Sequence, residues 1–199
     1  MFRPPTHVLR AALLLFFALC VASSASAGSE MVKVVRTING NTIVVKQGAA
    51  EATVRLYGIV TPDLADKNPD VSRFGGYAKD FLSTILPENE WIQLEYEGTT
   101  HTDASGMTVA HVYRSRDGLF VNEKVVVEGY GVAYTKNAFS TAATLRAAEE
   151  KAKGYRKGLW GDRPELAALN AQKSQAAYLG ESYSRASSSW VTVWIVSWW

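Results

Sequence analysis

The sequence predicts an α+β domain in which five short strands form a small barrel and about three helices pack against it. Three observations predict this class. The chain has 199 residues, of which 47% are apolar and 20% are charged, which is the composition of a folded protein. Short runs of β-forming residues are separated by turn residues, which indicates strands. Segments with apolar residues at helical spacing lie between and after those runs.

The first three strands are expected to form a meander. Two runs of β-forming residues flank Asn39-Gly40, and Asn-Gly is a strong hairpin signal because both residues tolerate positive φ. A second turn near Gly48 leads into a third run at 52–57. Three successive antiparallel strands are therefore predicted between residues 31 and 57.

A helix is expected between the third and fourth strands. Residues 74–86 place Tyr77, Phe81 and Ile85 at helical spacing, and Pro87 ends the pattern. This order of strands and helices is typical of an OB-fold. The remaining predicted elements are strands at 91–96 and 107–113 and helices at 121–128 and 142–157.

The first 27 residues are interpreted as an export signal. Arg3 and Arg10 give a basic start, residues 13–21 form an apolar core, and Ala25 and Ala27 supply small residues for cleavage. The apolar core is too short for a stop-transfer helix. We therefore expect an exported protein, periplasmic or secreted after cleavage, with an uncleaved membrane anchor as the alternative.

Charge and cysteine content limit the classes of function. The formal net charge is +2, and removal of the signal leaves 19 basic and 19 acidic residues. Binding to nucleic acid through phosphates needs a basic surface, so the net charge gives no support for a nucleic-acid partner, although a local basic patch stays compatible with it. Cys20, the only cysteine, lies in the signal, which excludes disulfide and thiolate chemistry from the remainder.

The C-terminal segments differ from the predicted domain in composition. Residues 162–181 are interpreted as a helical extension, and 182–199 as a Ser-rich linker followed by an uncharged tail. Tryptophan favours membrane–water interfaces, so the tail is a candidate for peripheral membrane contact or for a groove on a partner. The alternatives are that it packs on its own domain or lies outside the natural reading frame. Its tryptophans are Trp190, Trp194, Trp198 and Trp199.

Short motifs follow one another in a fixed order over about 130 residues. They are Asn39-Gly40-Asn41-Thr42-Ile43, the run 54–63, Phe74-Gly75, the run 103–107, Asp117-Gly118, the runs 121–123 and 128–130, and Gly158-Leu159-Trp160. No single motif is specific, but the ordered set resembles the thermonuclease family, which has a staphylococcal nuclease-like OB-fold. The resemblance implies one such domain over 28–161.

The resemblance also implies a set of site residues. In the family, carboxylates and a backbone carbonyl hold a calcium ion that polarises the phosphodiester. The two metal carboxylates fall on Asn41 and Val60, and the carbonyl falls on Thr61. An amide oxygen ligates calcium without charge, and a valine side chain does not ligate at all. Calcium is therefore expected as a cofactor only if some activity remains.

The catalytic groups of the family map onto three further positions. Arg55 matches the first phosphate-binding arginine, and the second falls on Met107. The general-base glutamate falls on Asp63, which is shorter by one bond of about 1.5 Å. A transition-state arginine contributes about 10³ to 10⁵ in rate. The resemblance thus implies a degenerate active site with Arg55 and Asp63 as catalytic remnants and Arg55 and Thr61 as binding remnants.

Structural interpretations compete with these assignments. Arg55 lies within a strand and is equally well explained by an ion pair with Asp63 or Glu95. His101, Asp103 and His111 form the only grouping of imidazoles and a carboxylate after the signal, and imidazole suits zinc or copper. Surface positions are the more ordinary explanation for these three residues.

The function predicted from the sequence is binding without catalysis. The chain is interpreted as an exported, thermonuclease-like module that has lost calcium-dependent hydrolysis, has no metal, and binds an unidentified protein or envelope partner. The first alternative is a weak or altered metal-dependent phosphodiesterase that acts on DNA or RNA through Arg55 and Asp63. The second is a membrane- or envelope-associated module directed by the tryptophan tail.

Overall fold

The computed structural model describes residues 28–98, 101–103, 105–135 and 138–162. The predicted signal at 1–27 and the segments after residue 162 lie outside the described residues. Within the described ranges, no helix has the length and apolar character needed to cross a membrane. The elements are β1 (Ser29–Asn39), β2 (Thr42–Gln47), β3 (Ala50–Leu56), β4 (Ile59–Val60), α1 (Pro69–Ile85), β5 (Trp91–Glu95), β6 (Thr108–Arg114), β7 (Leu119–Phe120), α2 (Val121–Val127), β8 (Val132–Ala133), α3 (Ala142–Gly154) and α4 (Leu159–Asp162).

Five strands close into a barrel, which confirms the predicted OB-fold class. The antiparallel order is β3-β2-β1-β5-β6, and a short parallel pairing of β3 with β6 closes the circle. The inward side chains are aliphatic and nearly inaccessible to solvent, as expected where alternate residues of each strand face one core. They include Val32, Val34, Ile43, Val45, Val54, Leu56, Ile92, Leu94, Ala110 and Val112.

The hairpin between β1 and β2 forms where the sequence predicts it, but for a different reason. Asn39 pairs with Thr42 across the turn. Gly40 is not among the residues with positive φ. A Cβ atom on Gly40 would lie 2.5 Å from Ala78 Cβ and 2.9 Å from Thr61 Cβ. Glycine is therefore required because the turn packs directly against α1 and Thr61.

Helix α1 begins five residues earlier than the apolar spacing predicts. Asn68 caps it by accepting a hydrogen bond from the Asp70 N–H at 3.0 Å, and Pro69 occupies the first helical position. Tyr77, assigned to the apolar face, is 50% exposed. The buried face consists of Val71, Gly75, Ala78, Leu82 and Ile85.

The remaining helices and short strands complete the fold around the barrel. Helix α3 ends at Gly154, before the predicted residue 157, and the chain then turns through Arg156 and Gly158, which have φ of 52° and 50°. Strands β4 and β8 pair with each other and were not predicted. They carry a second, smaller apolar cluster formed by Val60, Val71, Val132 and Leu159 with Phe74, Tyr134 and Trp160.

Candidate functional site

The candidate residues from the motifs meet at one end of the barrel. The Asn41 amide Nδ2 donates to the Ile59 carbonyl at 3.3 Å, and the Leu56 N–H donates to the Asn41 carbonyl at 2.8 Å. Thr61 lies against the β1–β2 turn at Gly40. The structure thus brings the turn, the end of β3 and the segment after β4 together.

Both ends of the Asn41 side chain have partners within the protein. Its Nδ2 donates to Ile59, and its Oδ1 accepts a hydrogen bond from Thr42 Oγ1 at 3.1 Å. Its backbone N–H donates to Asn39 Oδ1 at 3.0 Å. Asn41 therefore fixes the turn to β4. An aspartate at this position could not do so, because the contact needs the Nδ2 donor of an amide.

Arg55 forms an ion pair with Asp103, and neither Asp63 nor Glu95 is its partner. Arg55 Nη1 lies 2.5 Å from Asp103 Oδ2, and the two side chains are 19% and 2% exposed. Arg55 Nη2 lies 3.5 Å from Met107 Sδ. Asp103 Oδ1 also accepts the N–H groups of Ser105 at 2.8 Å and of Met107 at 3.1 Å. The carboxylate of Asp103 thus organises the turn before β6 and holds the guanidinium against it.

Val60 and Thr61 are both buried, with 3% and 7% exposure. The Val60 side chain belongs to the apolar cluster with Val132 and Leu159 rather than to a polar site. Thr61 Cγ2 would lie 3.1 Å from a Cβ atom at Gly131, so its side chain also packs closely. This part of the site is therefore filled by apolar groups.

Asp63 lies in the loop before α1 and is exposed. Its Oδ1 accepts the Ala65 N–H at 2.9 Å, which closes a local turn. A Cβ atom at Gly75 would lie 2.9 Å from the Pro62 carbonyl oxygen, so the loop crosses directly over α1. The exposed carboxylate of Asp63 is therefore tied to its own loop through Oδ1.

The structure gives His101, Asp103 and His111 separate partners. The His101 ring packs on Tyr96, with ring centroids 4.4 Å apart. Asp103 binds Arg55. His111 is 2% exposed and lies among aromatic rings. In the part of the chain that the structure describes, no three His, Cys, Asp or Glu side chains lie close enough to hold a metal ion.

A second polar cluster, which sequence reasoning missed, surrounds His111. His111 Nδ1 lies 3.3 Å from Thr141 Oγ1, and Nε2 lies 3.5 Å from Glu97 Oε2. Glu97 also accepts hydrogen bonds from Ser140, at 2.5 Å from its N–H and at 2.9 Å from its Oγ. The cluster fastens the start of α3 to the barrel. No periodic pattern or motif links residues so far apart in the sequence.

Burial and charge shift the titration of this cluster. Burial lowers the pKa of His111 and outweighs the opposing attraction of Glu97 and Glu95. Burial also acts to raise the pKa of Glu97, but the hydrogen bonds from Ser140 and the attraction of His111 outweigh it and lower that pKa. His111 is therefore neutral and Glu97 is charged when the folded protein is at neutral pH.

Acidification is expected to destabilise the protein in two steps. Because the folded-state pKa of His111 is below its ordinary 6.5, the unfolded chain takes up its proton first, and the free energy of unfolding falls as pH decreases below about 6.5. Glu97, with a pKa below 4.5, adds a second loss below about pH 4.5. One group contributes a slope of at most about 1.4 kcal/mol per pH unit. Urea unfolding from about pH 7 down to about pH 2.5 covers both steps.

Substitution separates the two contributions. His111→Gln is expected to remove most of the fall in the free energy of unfolding below about pH 6.5, and Glu97→Gln is expected to reduce the fall below about pH 4.5. His101→Gln is the control for loss of an imidazole. An upper step that survives in His111→Gln contradicts the assignment.

Comparisons with known proteins agree with this architecture. The family model described as staphylococcal nuclease homologue matches residues 53–162. A thermonuclease of Staphylococcus hyicus is 28% identical over 142 residues, which are 71% of this chain and 82% of that protein. A thermonuclease of Staphylococcus intermedius is 34% identical over 107 residues, 54% of this chain and 61% of that protein. An uncharacterized endonuclease of Escherichia coli O157:H7 is 26% identical over 130 residues, 65% of this chain and 76% of that protein.

Proposed function

Because the chain belongs to the staphylococcal nuclease homologue family, we propose that it keeps the nuclease fold without calcium-dependent phosphodiester hydrolysis and acts as a binding module. Its relatives include proteins named thermonuclease and endonuclease, so nuclease activity is the function against which the site has to be judged. Because residues 1–27 are interpreted as an export signal, we also propose that the protein binds its ligand outside the cytoplasm.

The ion pair between Arg55 and Asp103 is the observation that carries the proposal. Hydrolysis of a phosphodiester is accelerated by a positive charge that stabilises the transition state more than the bound substrate. The charge of Arg55 is instead balanced by a carboxylate that is 2% exposed. Moving Arg55 to a phosphate would leave that carboxylate buried without its cation, at a cost of about 3–5 kcal/mol. The arginine retained from the family motif is therefore committed to the structure.

The donor set also does not fit calcium. Calcium takes six to eight oxygen ligands, among which carboxylates dominate. The side chain of Val60 has no oxygen atom and packs into an apolar cluster. The Asn41 amide is held by Ile59 and Thr42. Asp63 brings one carboxylate, which is bound to the loop at Ala65. We therefore derive no step that passes through a metal.

A cleavage assay tests the proposal. The purified protein is incubated with DNA and with RNA in calcium, manganese or zinc, beside Arg55→Gln and Asp63→Ala. The expected result is no cleavage above the protein-free blank in any metal. Cleavage that Asp63→Ala and Arg55→Gln both abolish would overturn the proposal and support the altered phosphodiesterase. Cleavage that persists in both variants and elutes with the protein would also overturn the proposal, whereas cleavage that separates from the protein on chromatography comes from a contaminating nuclease.

A further inference from the structure

One surface of the barrel carries an exposed tryptophan between basic side chains. Lys46 on β2 pairs with Lys33 on β1, and Lys33 pairs with Trp91 on β5. Directly paired residues on neighbouring strands project from the same face of a sheet. These three residues, with Arg116 just after β6, are named the Trp91 strip. The adjacent Ile92 is buried in the barrel, so the strip lies on the outer face.

The strip is apolar at its centre. Trp91 is 48% exposed, and its neighbour Met31 is 52% exposed. Together with Glu90, Ser115 and Arg116 they line an open groove of about 490 Å³. Adjacent exposed apolar side chains in a groove form a candidate ligand-binding surface. The groove therefore offers an exposed indole on which a flat ring can stack.

The charge around this platform is positive. Lys33 Nζ lies over one face of the Trp91 ring, 4.9 Å from its centre, so a base would stack on the part of the ring that lines the groove, where Lys33 is not a lining residue. The nearby acids are committed to arginines, since Glu51 binds Arg36 at 2.8 Å and Glu90, which is 10% exposed, binds Arg116 at 3.2 Å. Among the residues that the structure describes, no acidic side chain forms an ion pair with Lys33 or Lys46. Because Glu90 balances the charge of Arg116, the cations of the strip that are left for an anionic ligand are Lys33 and Lys46.

The strip lies away from the end of the barrel that carries Arg55. Lys33 is near the start of β1, and the Asn39 turn is at its end. At about 3.3 Å per residue, roughly 20 Å separates the two along the strand. The strip is therefore a different surface from the family site.

We propose that the Trp91 strip binds single-stranded nucleic acid, with a base stacked on the indole and neighbouring phosphates on Lys33 and Lys46. A row of cations on strands about 4.8 Å apart matches a linear polyanion better than a single anionic group. Stacking on an aromatic ring in a basic groove is the general mode of single-strand recognition. The inference rests on the proposed function in one respect: without hydrolysis, the bound strand stays intact.

Fluorescence anisotropy tests the inference. The purified protein is titrated in EDTA against a fluorescein-labelled oligothymidylate of about 12 nucleotides, within the usual span of an OB-fold site. Trp91→Ala is expected to weaken binding about 5- to 100-fold, and Trp91→Phe to retain most of it, because the ring is kept. Lys33→Gln with Lys46→Gln is expected to lower the slope of log affinity against log salt by about 1.4, which is about 0.7 for each phosphate that the protein no longer neutralises.

Two control variants match these changes outside the strip. Tyr155→Ala removes an aromatic side chain that is 77% exposed, and Lys151→Gln removes an exposed lysine of α3. Both are expected to bind like the unsubstituted protein. Thermal melts by circular dichroism show that each variant is folded.

Equal affinity of Trp91→Ala and the unsubstituted protein would overturn the inference. So would binding to anionic phosphatidylserine vesicles that depends on Trp91 when oligonucleotide binding does not, since the strip would then be a lipid surface. Each proposal can be overturned without the other, because binding is measured in EDTA and does not require hydrolysis. Calcium-dependent cleavage with unchanged Trp91-dependent binding would overturn only the proposed function.

Discussion

The combined substitution Asn41→Asp, Val60→Asp, Met107→Arg and Asp103→Asn is expected to produce calcium-dependent DNA cleavage about 10³-fold or more above that of the unsubstituted protein. Three of the changes supply two carboxylates and one arginine at the positions onto which the resemblance maps them, and Asp103→Asn releases Arg55 from its ion pair. An arginine that stabilises the phosphoryl transition state contributes about 10³ to 10⁵ in rate. Release of acid-soluble nucleotides in calcium and in EGTA measures the gain.

The gain in activity is expected to lower stability. The change Val60→Asp would place a carboxylate in the apolar cluster of Val71, Val132 and Leu159, which costs about 3–5 kcal/mol for a buried charge without its partner. Calcium bound at that carboxylate offsets the cost, so the melting temperature of the variant is expected to rise with calcium concentration. The unsubstituted protein is expected to show no such rise.

Two results would contradict this account. A folded variant whose melting temperature rises with calcium but which cleaves nothing would show that the shorter Asp63 prevents catalysis by itself. Activity that persists when Asp63→Ala is added would show that another group activates the water. In either case the assignment of roles at this end of the barrel would be wrong.

Asn122→Ala is expected to lower the free energy of unfolding by about 2–6 kcal/mol. Asn122 is 0% exposed; its Oδ1 accepts the Val112 N–H at 2.9 Å, and its Nδ2 donates to the Tyr57 carbonyl at 2.8 Å. Alanine leaves both backbone groups buried without partners, at about 1–3 kcal/mol each. Chemical denaturation with matched m-values measures the loss.

Asn68→Ala is the control for removal of an asparagine. Asn68 caps α1 at a partly buried position, and loss of such a cap costs about 1 kcal/mol. A loss in Asn122→Ala no larger than this would show that water replaces the amide between α2 and β6.

The local elements were predictable from the sequence, and the contacts between distant elements were not. Alternation and the Asn39-Gly40 turn indicate the β1–β2 hairpin because they act between neighbouring residues. The parallel pairing of Val54 with Thr108 leaves no mark in either strand. The early start of α1 was missed because its first turn has a single apolar residue, Val71, which sets no period, and its signal is the capping residue Asn68.

The candidate site shows the same division. The positions of Asn41, Val60 and Met107 follow from the order of the motifs. The partner of Arg55 does not, because Asp103 reaches it only through the turn that ends at Met107. The cluster around His111 depends on Glu97 and Ser140, which are brought together only when α3 docks on the barrel.

Closure of the barrel by β3 and β6 also has a consequence for the folding pathway. The β1–β2–β3 meander is built from contacts between neighbours in the sequence, whereas closure joins 54–56 with 108–110. Contacts of high sequence separation form slowly, because the entropy of the intervening chain is lost before they are gained. We therefore expect Arg55 and Asp103 to meet late in folding, and an interaction absent from the transition state slows unfolding rather than accelerating folding. On this expectation, their ion pair contributes chiefly to the lifetime of the native state.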